Sequence, residues 1–294
     1  PYGVPLLGVA FGVYYNVDLF KHLGVTPPTT WEALLQSAQT IQQAGYLPFA
    51  NGIQEGWRVN ETIFMNVAPN FIGGRAGRLQ YLNGERCFND AHSVAAFQAL
   101  AALAPFLPTN KADLDYTDSQ QLFLAGKAAM FLGASWDIPT LEAAQAPFAW
   151  SVFALPAPQG QPTIVTFQPD TAVGLNAASP HQAEAQRFLA WLATPEATAL
   201  LQRTIPGVFV PRSNIAPVTN PHAQAFLQLL TDYQSDVGWA WPQISAKLPD
   251  AYSLMTTGGV AVIQGEKTPA EAADNLQNGL AQWFQPAQRC LLVK

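Results

Sequence analysis

Charge is what this sequence has least of. Only 12% of its 294 residues are Asp, Glu, Lys or Arg, about half of the ~25% of an ordinary soluble chain. The net charge of −6 leaves no basic excess for nucleic acid or an anionic membrane surface. Cysteine is scarce too. Cys87 and Cys290 form no C-x-x-C pair, and whether they bond to each other is open from sequence. The four histidines, His22, His92, His181 and His222, stand apart from one another and from any cysteine or carboxylate at ligand spacing, which argues against a zinc site. There is no G-x-S-x-G elbow. The glycine-rich "GGRAGR" at 73–78 lacks the Lys-Ser/Thr of a phosphate loop and reads as a turn. No apolar run approaches the ~20 residues of a spanning helix. No cofactor is expected.

Apolar residues make up 49% of the chain, with eight Trp and 24 Pro. Many rings and few charges suit recognition of a neutral ligand with an apolar face. The opening stretch to Tyr15 is apolar and punctuated by glycine, as a buried strand would be. A helix follows from Thr29, with Thr29 and Glu32 as capping box and Trp31, Leu34, Leu35, Ala38 and Ile41 as its apolar stripe. The stretches "YLPFANG", "GKAAMFLGASW", "FAWSVFALPAP" and "TIVTFQPDTAVGLN" read as further strands, and 73–90 reads as turn and hairpin. Helices are expected at 89–107 and 118–125, from Ser179-Pro180, from Thr194-Pro195 and from Thr268-Pro269. The alternation of strands and helices makes the chain α/β.

Several of these stretches, in order, resemble one family. "GVYYNVDLFKHLGVTPPTTWEALLQSAQTIQQAG", "LFLAGKAAMFLGASWDIP", "FAWSVFALPAP", "VGLNAASPHQAEAQRFLAWLATPEA" and "WPQISAKLPDAYSLMTTGGVAVIQGEKTPAEAADNLQ" are similar to blocks of the maltose-binding-protein-like solute-binding proteins of ABC importers (family 1). The resemblance implies a type II periplasmic-binding-protein fold of two α/β lobes that close on a sugar. It places residues 1–12 as a hinge-side strand of the N-terminal lobe, 13–158 in the C-terminal lobe, 159–178 as the returning crossover, 179–212 as N-terminal-lobe helices, and 213–294 back in the C-terminal lobe. In the family a signal peptide, a lipid-anchoring Cys or cleavage site and the first βα units come earlier. The chain is therefore expected to be a fragment with a partial N-terminal lobe, located outside the cytoplasm, and to bind sugar weakly or not at all by itself. Permease subunits are the implied partners.

Candidate ligand residues follow from the same resemblance. Trp136 and Asp137 in "GASWD", Glu55 and Trp57 in "NGIQEGW", Trp239 and Trp241 in "DVGWAWP", Asp170 in "FQPDT" and Gly207 in "IPGVF" fall where the family lines its cleft. A ring stacks on a sugar's C–H face, and carboxylates take its hydroxyls. Each has a plainer reading: Asp137 as a helix cap, Asp170 as a turn former, one of Trp239 and Trp241 as core. Trp31, Trp150, Trp191 and Trp283 read as packing. Two alternatives stand beside the sugar binder: a glycosidase using two of Glu55, Asp137, Asp170 and Asp236, or the same fold carrying a polyamine, phosphoester or metal.

Overall fold

A computed structural model describes residues 4–210, 217–238 and 241–292. Its organising element is a 13-residue strand, β1 (Val4–Asn16). The others are β2 (Leu47–Phe49), β3 (Ala128–Ala134), β4 (Trp150–Phe153), β5 (Ile164–Val173) and β6 (Gln234–Asp236). The second half of β1 lies between β3 and β4, antiparallel to both, with Val13 opposite Leu132 and Phe153. Its first half pairs antiparallel with the second half of β5, from Val4↔Val173 to Ala10↔Phe167. The first half of β5 turns instead to β6, and β2 runs parallel to β3.

Side chains alternate across β1 as the pleat requires. Val13 joins the main core with Leu132 and Phe153, beside the helices Trp31–Gln43, Ala91–Leu103, Ala251–Gln264 and Pro269–Leu280. Tyr14 points the other way, into a second core with Phe131, Phe123 and Phe226. A small third core, Leu6, Leu7, Leu192 and Val210, gathers where the helices Gln182–Leu192 and Pro195–Thr204 meet the first half of β1. Between them Val9, Phe11, Met65 and Ala134 form a fourth cluster, against which Trp136, Val208 and Tyr252 pack.

Polar side chains lock the crossing strands. Helix Met65–Ile72 presents Asn66 and Asn70 one turn apart. Asn66 Nδ2 donates to the Gly12 carbonyl, while Asn70 donates to Leu155 O and accepts from Ile164 N. Asn51 lies two residues past the end of β2 and exchanges two hydrogen bonds with Leu132, prolonging the ladder with an amide side chain. Arg78 grips Asp236 on β6 with a forked pair at 2.7–3.1 Å, and both side chains are largely buried. Cys87 and Cys290 form a disulfide, with Cα atoms 5.5 Å apart.

Several sequence expectations need correction. Residues Gly74–Asn83 are a helix, not a hairpin. The glycines mislead because they serve its edges. Gly73 (φ 87°) and Gly84 (φ 76°) cap it in the left-handed region, and a Cβ on Gly77 would run into the Ile72 carbonyl. The helix from Trp31 is capped by Thr30, not Thr29, and Glu32 accepts from the Gln159 N–H instead of closing a box. The helix expected from Ser179 begins at Gln182, because the Ser179 hydroxyl is engaged with the His181 N–H. Trp191 is 37% exposed and stacks on Phe188, so it is not packed in a core. The caps at Thr194 and Thr268 are as read.

Arg78→Ala would leave the Asp236 carboxylate buried without its partner, which should cost about 3 kcal/mol in urea unfolding. Arg78→Lys should recover only part of that, since an ammonium does not fork across both oxygens.

Candidate functional site

The turn after β3, residues Ser135–Asp137, lies beside the crossing of β1 and β5. It is tied down on every side. Ser135 Oγ accepts from Ala10 N at 3.1 Å, and Tyr14 OH donates to Ala134 O at 2.8 Å. Gly207 (φ 92°) backs onto the Ser135 carbonyl so closely that a Cβ there would collide with it. Trp136 follows on this turn and meets the Phe11 ring edge-on, with centroids 5.3 Å apart.

Trp136 and Phe11 line a cleft of about 230 Å³ with Glu61, Met65, Gln168, Pro169, Asp170 and Tyr252. The two sides of the crossing thus meet there: β1 and the β3 turn supply rings, and β5 supplies Gln168, Pro169 and Asp170. Glu61 lies in a stretch of wide π-type turns, Val59–Phe64, that interrupts the helix leading to Met65. Its carboxylate accepts from Tyr252 OH at 2.7 Å. Burial first, then the Glu61 charge, raises the Tyr252 phenol above its ordinary pKa, so it remains a hydroxyl. Gln168 accepts from Gly238 N at 2.9 Å. The cleft therefore offers apolar rings, two carboxylates, an amide and a phenol, which together match C–H faces and hydroxyls.

Of the residues singled out from sequence, Trp136 and Asp170 line this cleft, and Asp170 is exposed. Gly207 shapes the turn beneath Trp136. Trp239 lies outside the described residues. Trp241 is 2% exposed within the main core, with Arg78 near its ring, so it is the packing member of its pair. Asp236, considered for catalysis, is taken by Arg78.

Asp137, Glu55 and, through Arg58, Trp57 all lead to Tyr116, whose hydroxyl meets Trp136. The Asp137 carboxylate is 1% exposed and accepts from Tyr116 OH (2.5 Å), Gln120 Nε2 (2.8 Å) and Ala134 N (3.1 Å). Glu55 accepts from the Tyr116 backbone N–H, at the start of helix Tyr116–Leu124. Trp57 is exposed, and the Arg58 guanidinium lies between its ring and that of Tyr116, at 3.7 and 3.9 Å. Tyr116 OH in turn accepts from Trp136 Nε1 at 3.0 Å. The even choice for Asp137 resolves toward structure. It caps its own turn through the Ala134 N–H and has no face on the cleft. Sequence reasoning missed Phe11, Glu61, Met65, Tyr116 and Tyr252.

Burial raises the Asp137 pKa to about 6, against the pull of its three donors and of Arg58. Among the described residues no three His, Cys, Asp or Glu side chains gather as a metal site.

The sequence profile of the bacterial extracellular solute-binding proteins matches residues 2–199, and the chain belongs to that family. A curated relative from Streptococcus mutans, a "Multiple sugar-binding protein", is 26% identical over 206 residues, which are 67% of this chain and 48% of the relative. The chain thus spans about half the length of the curated relative it matches. Among solved structures, a chitin oligosaccharide binding protein superposes with a TM-score of 0.81 at 19% identity, covering 99% of this chain and 72% of that one. The protein RafE in complex with raffinose superposes with a TM-score of 0.75 at 22% identity, covering 98% and 73%. The fold is that of the two-lobed, type II solute-binding proteins.

The sign of the Asp137 shift sets a stability test. Its native pKa lies above the ordinary 3.8, so folding favours its protonated form. That stabilisation is complete below about 3.8 and is lost as pH rises through about 6. Between pH 7 and pH 5 the wild-type chain should gain about 1 kcal/mol relative to Asp137→Asn, measured by urea unfolding of both.

Proposed function

We propose that this chain is the sugar-contacting part of an extracytoplasmic substrate-binding protein, which holds a neutral mono- or oligosaccharide and passes it to the permease subunits of an ABC importer. One observation carries the reading: the Trp136 ring shares a cleft with Glu61, Gln168, Asp170 and Tyr252 at the crossing of β1 and β5. A ring supplies a platform for a pyranose, and the carboxylates and amide satisfy hydroxyls in pairs. The relatives are named for sugars: multiple sugars, chitin oligosaccharide and raffinose. No turnover is proposed. Of the carboxylates considered for glycosidase chemistry, Asp137 is enclosed by three donors and Asp236 is bound to Arg78.

In this reading residues 13–158 and 213–294 build one lobe, 1–12 and 179–212 contribute to the other, and 159–178 carry the chain between them. The separate small core of Leu6, Leu7, Leu192 and Val210 supports that division. The cleft volume, about 230 Å³, falls below the ~300–1,000 Å³ of sites that enclose a small molecule. Its walls therefore cover only part of a sugar, which supports weak capture by this chain.

Titration with a panel of neutral mono- and oligosaccharides, followed by ligand-detected NMR and Trp fluorescence, should give a saturable response with Kd near ~1 mM. Trp136→Ala should abolish it. Absence of saturation with every sugar, or an unchanged response in Trp136→Ala, counts against the reading.

A further inference from the structure

We propose that Tyr116 and Asp137 are positioning residues for the Trp136 ring: the buried carboxylate orients the phenol, and the phenol holds the indole where it faces the cleft. The proposal rests on the sugar-binding reading for its purpose, but its geometry stands independently.

The chain of donors is unambiguous. An indole N–H only donates, so Trp136 Nε1 gives its proton to Tyr116 Oη at 3.0 Å. The phenol has one proton of its own and spends it on Asp137 Oδ1 at 2.5 Å. The carboxylate in turn is held by Gln120 Nε2 and Ala134 N, neither of which touches the cleft. The Tyr116 ring is fixed from its face by the Arg58 guanidinium at 3.9 Å, and from its backbone by Glu55. No described residue contacting the Trp136 nitrogen comes from β5, the opposite side of the cleft. The hydrogen bond that orients the platform therefore comes from the Tyr116 side and not from β5. Linked hydrogen bonds of this kind strengthen one another when enclosed and fail together when one member is lost.

A consequence distinguishes positioning from plain packing. Protonation of Asp137 removes the charge that draws the Tyr116 proton, so the phenol–carboxylate hydrogen bond weakens and the indole bonded to the phenol senses the change. The charged and titratable groups facing Asp137 are Tyr14 from β1, Tyr116 from its helix and Arg58 from the helix turn Gly56–Arg58. Glu142 acts on Tyr14 from the helix Ile138–Ala143 and is paired with His222. Tyr14 and Tyr116 are held well above their ordinary pKa by burial, so between pH 5 and 8 the titrating member of the group is Asp137, near 6. His222 lies on the Trp150 ring, not on Trp136.

The test uses the whole chain labelled with ¹⁵N-Trp, the Trp136 indole N–H being assigned by its loss in Trp136→Phe. In wild type that resonance should shift between pH 8 and pH 5 with a midpoint near 6. In Tyr116→Phe it should sit at the frequency of an unbonded indole and stay there at every pH. Sugar affinity should fall about tenfold in Tyr116→Phe and lose its pH dependence, while the far-UV spectrum and cooperative unfolding persist. Asp137→Asn should abolish the titration as well. If the wild-type resonance does not titrate, or Tyr116→Phe binds sugar as wild type does, the proposal is overturned. If the resonance titrates and Tyr116→Phe silences it but no sugar binds wild type, the positioning stands and the sugar reading falls.

Discussion

The structure hangs on one strand having different partners at its two ends. Over its second half β1 is hydrogen-bonded on both edges, to β3 and β4, while its first half is zipped to β5. Such a strand cannot slip by one residue without exchanging Val13 for Tyr14, and so a main-core aliphatic for a phenol whose hydroxyl is committed to Ala134. Register in β1 therefore propagates to both of its ends. The cleft forms where the partners change, because there Val9 and Phe11 belong to neither large core and Met65, Ala134 and Trp136 close around them. The amide ladders of Asn51, Asn66 and Asn70 hold that junction without charge. This explains how a chain with so few ionic groups keeps its crossing strands in place.

Besides the Arg78–Asp236 pair, a buried charge stands behind the platform. Asp137 is ionised at neutral pH at a cost in stability, as its raised pKa shows. An apolar residue would fill the space more cheaply. What the carboxylate provides is direction: three donors converge on it, and one of them carries the indole. Binding sites commonly carry such a local cost, since a rigid platform loses less freedom when ligand arrives.

Much of this was legible from residues alone, and the limits have physical causes. Strands showed through as apolar runs ended by Gly or Pro, and helices through their caps, as at Thr194 and Thr268. Gly73 to Gly84 defeated that reading because a left-handed cap and a close approach use the same residue type as a turn. Trp136 stood out because a ring after a strand end is a positional signal, and the structure places it on a cleft. Asp137 was drawn from the right turn, but sequence spacing says which residues gather and not that its carboxylate is enclosed behind the turn. Glu61 and Tyr252, 191 positions apart, meet only through the fold. Tyr116, on which Glu55, Asp137 and the Trp57–Arg58 pair converge, carried no motif at all.

The disulfide has a consequence of a different kind. Cys87 and Cys290 are separated by 203 positions, and the segment they enclose contains β3, β4, β5 and β6 together with the Trp136 turn. The backbone between them is one covalent ring. A protease that cuts any loop inside that ring releases nothing: the nicked molecule keeps its mass on a non-reducing gel and separates into two pieces only when a thiol is added. That ring turns a single cut from loss of a fragment into a local break.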